Sequence, residues 1–425
     1  VSRRKLVVLL LGICTICTAL LVPMIGKPGS PNTISGGLPS EEQPLTVDNG
    51  SEDVATVRIA VSMSETEFQY WQKSEENFES RFPQIRVDLA NIPGPDAYAK
   101  WKEAAHGGEP FDIMLLDNNR VREFAVQGYL LPADDIYTGD SLADQLEALT
   151  DTLKWNGSMW GVALDINPML IVWQTELLKQ AGMNEPPENW ESFVKGYNGL
   201  QAASPKVEPV SLAMSDPRQM LAWLGMFDSN AEDAANLHPM NAEMKEQLRF
   251  LGPFSRPQTE QGAESGKNTV PDKLKSGELL SAVMPWSEYR SMMLSNNGSV
   301  SAGPQRSPLS WIGGRSFVLS AQSLWPDQAR LWINEMVIKG SQLDRYETFG
   351  RLPARKSAYA GEFESDSMAK KPPYWVLSLF KSKVFIPDPS WSERWERWTS
   401  LWKTDDRQPF EALDMEKMIE NWNGS

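Results

Sequence analysis

The sequence predicts two open α/β bodies joined by a hinge. Strand and helix patterns alternate from Val57 to Gln127, and a second alternation resumes at Thr175. Between them, the stretch Trp155 to Trp173 holds a polar step, Asp165-Ile166-Asn167-Pro168, flanked by two strand-like apolar runs. Such a break reads as the chain leaving one compact body and entering another.

Size and charge fit this reading. The chain has 425 residues, enough for two or three domains, and a formal charge of −15. Its first acid is Glu41, while Arg3, Arg4 and Lys5 sit at the N-terminus; without those three, 38 basic and 56 acidic residues remain. That balance disfavours nucleic acid or an anionic membrane surface as the partner of the folded part. Both cysteines, Cys14 and Cys17, precede the globular region, which therefore has no disulfide and no cysteine metal site.

Arg3-Arg4-Lys5 followed by the uncharged run Leu6 to Val22 matches an export signal, with Cys17-Thr18-Ala19 as a small-x-small cleavage site. The run is also close to the length of a retained anchor. Ile13 and Ile16 precede the cysteines, where a lipoprotein signal places a small residue. Residues 1–25 are thus expected to be an export signal or membrane anchor. Residues 26–56, rich in Pro, Gly, Ser, Asn and Glu, are expected to be a flexible tether.

The elements follow in order. Val57–Val61 is a strand, and Ser64 with Glu67 fits a capping box ahead of a helix carrying Phe68, Trp71, Phe78 and Phe82. Ile85, Val87 and Leu89 alternate as a strand, and a helix spans Ala97 to Ala105. Phe111 to Asp117 is a nearly continuous apolar run, as in a parallel strand covered on both faces. A helix from Arg120 to Gln127 stops at Gly128. Ligands of open α/β sheets sit at the carboxyl ends of strands, which singles out Ser62 to Glu65 and Asp117 to Asn119. Beyond the hinge come helices at Thr175–Ala181 and after Asn189, a strand at Val210–Met214, and a helix opened by Asp216-Pro217. Gly252 to Val270 reads as surface loop, Leu279–Met284 and Trp311–Ser320 as strands, and Pro326 as a helix start. Trp391, Trp395, Trp398 and Trp402 share one helical face and read as core. A last helix runs from Phe410 to Trp422.

Catalytic and metal motifs are lacking. His106 and His238 are the only histidines, and neither His-Glu-x-x-His nor Gly-x-Ser-x-Gly occurs. Gly262 to Lys267 is one residue short of a phosphate loop and is followed by Asn268. No enzyme, metal or cofactor is expected; a glycoside-active enzyme would have to use Asp117 and Asp165 as its carboxylate pair. Aromatic residues are the positive feature. Trp286 and Trp311, beside turn residues at strand boundaries, could stack on a sugar, and Asp, Asn and Arg could bind its hydroxyls, a combination suited to a neutral carbohydrate.

In order along the chain, Trp71 to Pro83, Phe111 to Asp117, Phe124 to Pro132, the Trp155 to Trp173 stretch, Glu176 to Gly182 with Pro186-Pro187 and Trp190, Gly277 to Met284 with Trp286, Trp311 to Gly314, and Gly350 to Ser357 resemble the extracellular solute-binding proteins of bacterial ATP-binding-cassette importers, the group that includes maltose- and oligosaccharide-binding proteins. The resemblance implies a two-lobed periplasmic-binding-protein-like α/β fold with crossing hinge segments and an interlobe ligand cleft. It implies lobe one at 57–163 plus 312–350 and lobe two at 164–311 plus 351–425. Ligand contacts are implied at Ser64, Glu65, Asp117, Asn118, Asp165, Trp286, Trp311, Gly313, Gly314 and Arg351. Arg351 stands where many relatives have an aromatic or apolar residue, and Ala163 where proline is usual, which suggests a freer hinge that Ala163→Pro would leave folded. The implied function is capture of an oligosaccharide by hinge closure and delivery to a membrane permease, by a monomer on the outer face of the cell membrane. A sensor feeding a membrane histidine kinase is the alternative.

Overall fold

Alternation and capping explain the first elements. β1 (Ala55–Val61) leads directly into α1 (Glu65–Arg81), capped by the Ser64 hydroxyl accepting from the Glu67 N–H at 3.3 Å. Only half of the expected capping box forms, because the Glu67 carboxylate turns to Arg315 instead. β2 (Ile85–Asn91), α2 (Ala97–Gly107), β3 (Ile113–Asp117), α3 (Asn118–Val126) and α4 (Glu147–Leu153) follow. Asn156 and Gly157, at φ +48 and +87, make the turn of a short hairpin, Lys154–Trp155 against Ser158–Met159.

β4 (Val162–Ile166) and β5 (Met169–Gln174) are separated by Asn167-Pro168. Then come α5 (Thr175–Gln180), α6 (Trp190–Ala203), α7 (Pro217–Phe227), α8 (Ala242–Leu251), α9 (Val270–Ser276), β6 (Ser281–Pro285), α10 (Trp286–Leu294) and β7 (Val300–Ser301). The remainder comprises β8 (Arg315–Leu319), α11 (Pro326–Met336), α12 (Lys339–Phe349), β9 (Leu352–Pro353), α13 (Trp391–Lys403) and α14 (Ala412–Asn423).

This computed structural model describes residues 54–424 except 95, 109, 138–140, 228–238, 255–268, 296–298, 303–308, 311–312, 360–367, 382, 385, 387 and 404–411. The export segment, the tether, Trp311 and most of the 252–270 loop therefore lie outside the described residues, as does the Trp402 side chain.

Two sheets result. The larger has strand order β9-β4-β8-β3-β1-β2; β1 is parallel to β2 and β3, whereas β8 runs antiparallel to both β3 and β4. The smaller is antiparallel, in the order β6-β5-β7. One face of the large sheet packs on α1 and α11, where Trp71, Phe317 and Trp332 meet with ring centroids 4.9–5.9 Å apart. Its other face packs on α2 and α3 through Trp101, Val121 and Phe124. The small sheet buries Ile171, Trp173 and Val283 against α6, α7, α8, α13 and α14. Trp391 and Trp398 are both 1% exposed in that core, as their spacing predicts.

Three sequence expectations need correction. Val210–Met214 is not a strand: Glu208 bridges Leu279 and Ser211 bridges Ala282, and bonded residues three apart fall out of the two-residue repeat of a ladder. No helix is expected from the sequence at α4, α8, α9, α10 or α12. Ala163 is not in a free hinge but inside β4, 1% exposed and paired with Ser316. The nearby Tyr137 hydroxyl donates to the Gly161 carbonyl at 3.1 Å.

Candidate functional site

One row of the large sheet gathers most of the chemistry. Asp117 ends β3 and pairs with Arg315 at the start of β8; Arg315 pairs with Asp165 on β4, and Asp165 with Pro353 on β9. This row lies at the carboxyl end of the parallel strands, the ligand side of open α/β sheets. The register of β8 on β4 shifts between Arg315 and Ser316, leaving Leu164 as the extra residue of a bulge and setting Asp165 opposite Arg315.

Asp165 is 2% exposed, and its carboxylate is shared by two guanidinium groups. Arg315 donates from Nε at 3.2 Å and from Nη2 at 2.5 Å; Arg351 Nε lies 2.9 Å from the other oxygen. Arg315 Nη2 also reaches Glu67 at 2.7 Å. Burial alone would raise the Asp165 carboxyl, but Arg315 and then Arg351 outweigh it and hold the pKa at about 2. Arg345 adjoins this cluster, 3% exposed, donating to the Met336 carbonyl at 2.9 Å with its guanidinium 5.2 Å from the Trp71 ring centre. Burial pulls the Arg345 pKa down to about 10.

Asn118 is structural in its contacts. Its side chain accepts from the Ser316 hydroxyl at 2.6 Å and donates to the Gly313 carbonyl at 3.4 Å, while its N–H donates to the Gly314 carbonyl at 3.0 Å. Gly313 and Gly314 adopt φ +61 and +109, a bend that β-carbon-bearing residues resist.

The small-sheet body supplies the facing groups. Asp216 accepts from the Arg218 backbone N–H at 2.9 Å and grips its guanidinium through Nε and Nη2 at 2.8–3.1 Å. Arg218 lies 5.7 Å from the Trp395 ring centre. The Tyr98 hydroxyl accepts from the Asp117 N–H at 3.2 Å, and burial, then the Asp117 charge, push its pKa well up. Arg120 lies 4.6 Å from the Tyr98 ring centre and reaches across to Glu396 on α13 at 2.8 Å. At the crossing, Asn167 and the Ser287 backbone and hydroxyl exchange two hydrogen bonds at 3.0 Å, so Asn167 supplies the cap that Pro285 cannot give α10.

The profile of the bacterial extracellular solute-binding proteins matches residues 74–373. The chain belongs to this family. As an extracellular solute-binding protein it is exported, and no described helix is long and apolar enough to cross a membrane. The sugar-binding protein MalE of Xanthomonas citri superposes with a TM-score of 0.67 at 19% identity, covering 87% of this chain and 97% of that one. The GacH receptor of Streptomyces glaucescens, solved unliganded and with acarbose, gives 0.63 at 20% identity over 88% and 97%. The maltotriose-binding protein of Thermus thermophilus gives 0.59 at 17% over 87% and 99%. These likenesses establish the two-lobed fold. A binding protein of Brucella abortus (strain 2308) is 21% identical over 144 residues, 34% of this chain and 35% of its own length, so the match spans about a third of that relative.

In this solute-binding protein, six residues expected from the sequence meet at the row described above: Asp117, Asn118, Asp165, Gly313, Gly314 and Arg351. Ser64 and Glu65 are exposed just beyond the end of β1 in the same sheet. Trp286 lies at the start of α10, 0% exposed, with its ring centre 5.7 Å from that of Trp375, which is 40% exposed. Trp311 is outside the described residues. Sequence reasoning missed Glu67, Tyr98, Arg218, Arg315 and Trp375. Arg315 directly follows the Gly-Gly bend and Arg218 the Asp-Pro helix start, so both carried a local signal; Tyr98 and Trp375 carried none.

Proposed function

We propose that this protein captures an oligosaccharide between its two bodies and delivers it to the membrane permease of an ATP-binding-cassette importer. The observation that carries this reading is the contact between the bodies at Arg120 and Glu396, 2.8 Å apart, with Tyr98 beside Arg120 on one body and Trp395 next to Glu396 in sequence on the other. Carboxylate, phenol and guanidinium suit sugar hydroxyls, and aromatic faces suit sugar C–H faces. Closure then follows from a ligand that touches both bodies and so favours the closed state.

Within this reading, Ser64, Glu65, Asp117, Trp311 and Arg351 contact ligand. Asp165, Asn118, Gly313 and Gly314 hold the contacting groups in place, and Trp286 backs the more exposed Trp375. The chain leaves the large-sheet body at Asn167-Pro168, after β4, returns to it for β8 and β9, and ends in α13 and α14 on the small-sheet body. The protein acts as a monomer without catalysis, held outside the cell membrane by residues 1–56. Calorimetry and product analysis against an oligosaccharide panel test the proposal. Saturable binding without turnover is expected; turnover, or no sugar bound, overturns it. Loss of uptake on deleting adjoining permease genes separates import from sensing.

A further inference from the structure

Asp165 and Glu67 share the guanidinium groups of Arg315 and Arg351: Arg315 reaches both carboxylates, Arg351 only Asp165. Arg351, with only a share of one carboxylate, is thus the incompletely neutralised member of the pair, and an anion from outside would complete it.

Only one member can meet such an anion. The Arg351 side chain is 22% exposed, against 9% for Arg315 and 12% for Glu67. Its Nε lies 2.9 Å from Asp165, and no other ion-pair partner exists for it among the described residues. It follows Gly350, which lies against Ser287 and Arg290 of α10, so it stands where the two bodies adjoin. We propose that the ligand is an acidic saccharide, and that Arg351 receives a uronate carboxylate on its free guanidinium edge. This rests on the saccharide reading above and replaces the neutral sugar that the sequence suggested. A planar guanidinium fork matches a carboxylate in two parallel hydrogen bonds, which a hydroxyl cannot supply. The N-termini of α1 and α3 open at the same sheet edge and add partial positive charge there. Burial and the neighbouring Arg315 both disfavour the Arg351 cation, and an incoming carboxylate offsets both.

The test is calorimetry of the full exported chain with trimers of galacturonate, glucuronate and mannuronate, each against its methyl ester, alongside maltotriose and mannotriose. At least one acid should bind tenfold or more tightly than its ester, with an advantage that shrinks as salt rises. That acid-to-ester ratio should fall below threefold in Arg351→Gln and stay above it in Arg351→Lys, which keeps the charge beside Asp165. Thermal midpoints of both variants identify any loss of folding, in which case the salt dependence of the unaltered protein decides. Esters or neutral trimers bound as well as the acids overturn the acidic ligand and leave the saccharide reading standing. An acid preference that survives Arg351→Gln overturns the role of Arg351. Binding of no trimer at all overturns both readings.

Discussion

A β-carbon placed on Gly314 would lie 2.3 Å from the backbone oxygen of Asp165. The Gly-Gly bend thus brings β8 against β4 at the point where Arg315 engages the Asp165 carboxylate. With φ at +109, any other residue there is strained as well as obstructed. Gly314→Ala should cost about 3 kcal/mol in denaturant unfolding. Unchanged stability would show that the close approach is not needed.

Asp165 titrates with a predictable sign. Its folded pKa of about 2 lies below the ordinary carboxylate value, so ionisation favours the folded state above about pH 4. That contribution, on the order of 2 kcal/mol, should vanish as pH falls from about 4 through 2. Asp165→Asn should lose this part of the acid sensitivity. At pH 7 it should be less stable by roughly 3 kcal/mol, because two buried guanidinium groups lose their shared carboxylate. Urea midpoints from pH 2 to 7 measure both effects.

Ala163→Pro should destabilise the protein by about 3 kcal/mol or more, since Ala163 is buried inside β4 and paired with Ser316, where a proline ring does not fit. A variant that unfolds at the same denaturant concentration would restore the freer-hinge expectation.

That position illustrates what a sequence can disclose here. Apolar periodicity and the Ser64, Asn189 and Asp216-Pro217 caps located most elements, and β3's continuous apolar run placed Asp117 at the carboxyl end of a strand of the large sheet. The Asn156-Gly157 turn was legible for the same local reason. Partnerships across the chain were not. Glu67 looked like a capping residue because its distant partner Arg315 is 248 positions away. The bulge at Leu164, which sets Asp165 opposite Arg315, exists only once β8 is in place. Burial of Trp286 depends on Trp375 and Tyr289, which no spacing rule connects.

The two tryptophans at α10 should separate by experiment. Trp375→Ala removes a partly exposed ring and should weaken saccharide binding roughly fivefold to tenfold with a small change in thermal midpoint. Trp286→Ala empties a fully buried site and should cost about 3–5 kcal/mol of stability. Calorimetry beside thermal melts reads both; equal loss of stability would remove Trp375's proposed role.

Arg120 and Glu396 join the bodies by a pair whose acid is 62% exposed. A double-mutant cycle should therefore give a coupling under about 1 kcal/mol. Even so, Glu396→Gln should enlarge the ligand-free protein in solution scattering by favouring the open arrangement. An unchanged profile would limit the pair to a surface contact.

The strand order of the large sheet has a consequence for how the chain is made. β8 lies between β3 and β4, yet it is synthesised about 150 residues after β4, once the whole small-sheet body has emerged. Until then β3 and β4 each present an unpaired edge, a hazard for association with other chains. A chain stopped before residue 315 would lack not only Arg315 but the strand that closes both edges. Holding such a chain unfolded until it has crossed the membrane whole would remove that hazard, so the topology itself favours export before folding.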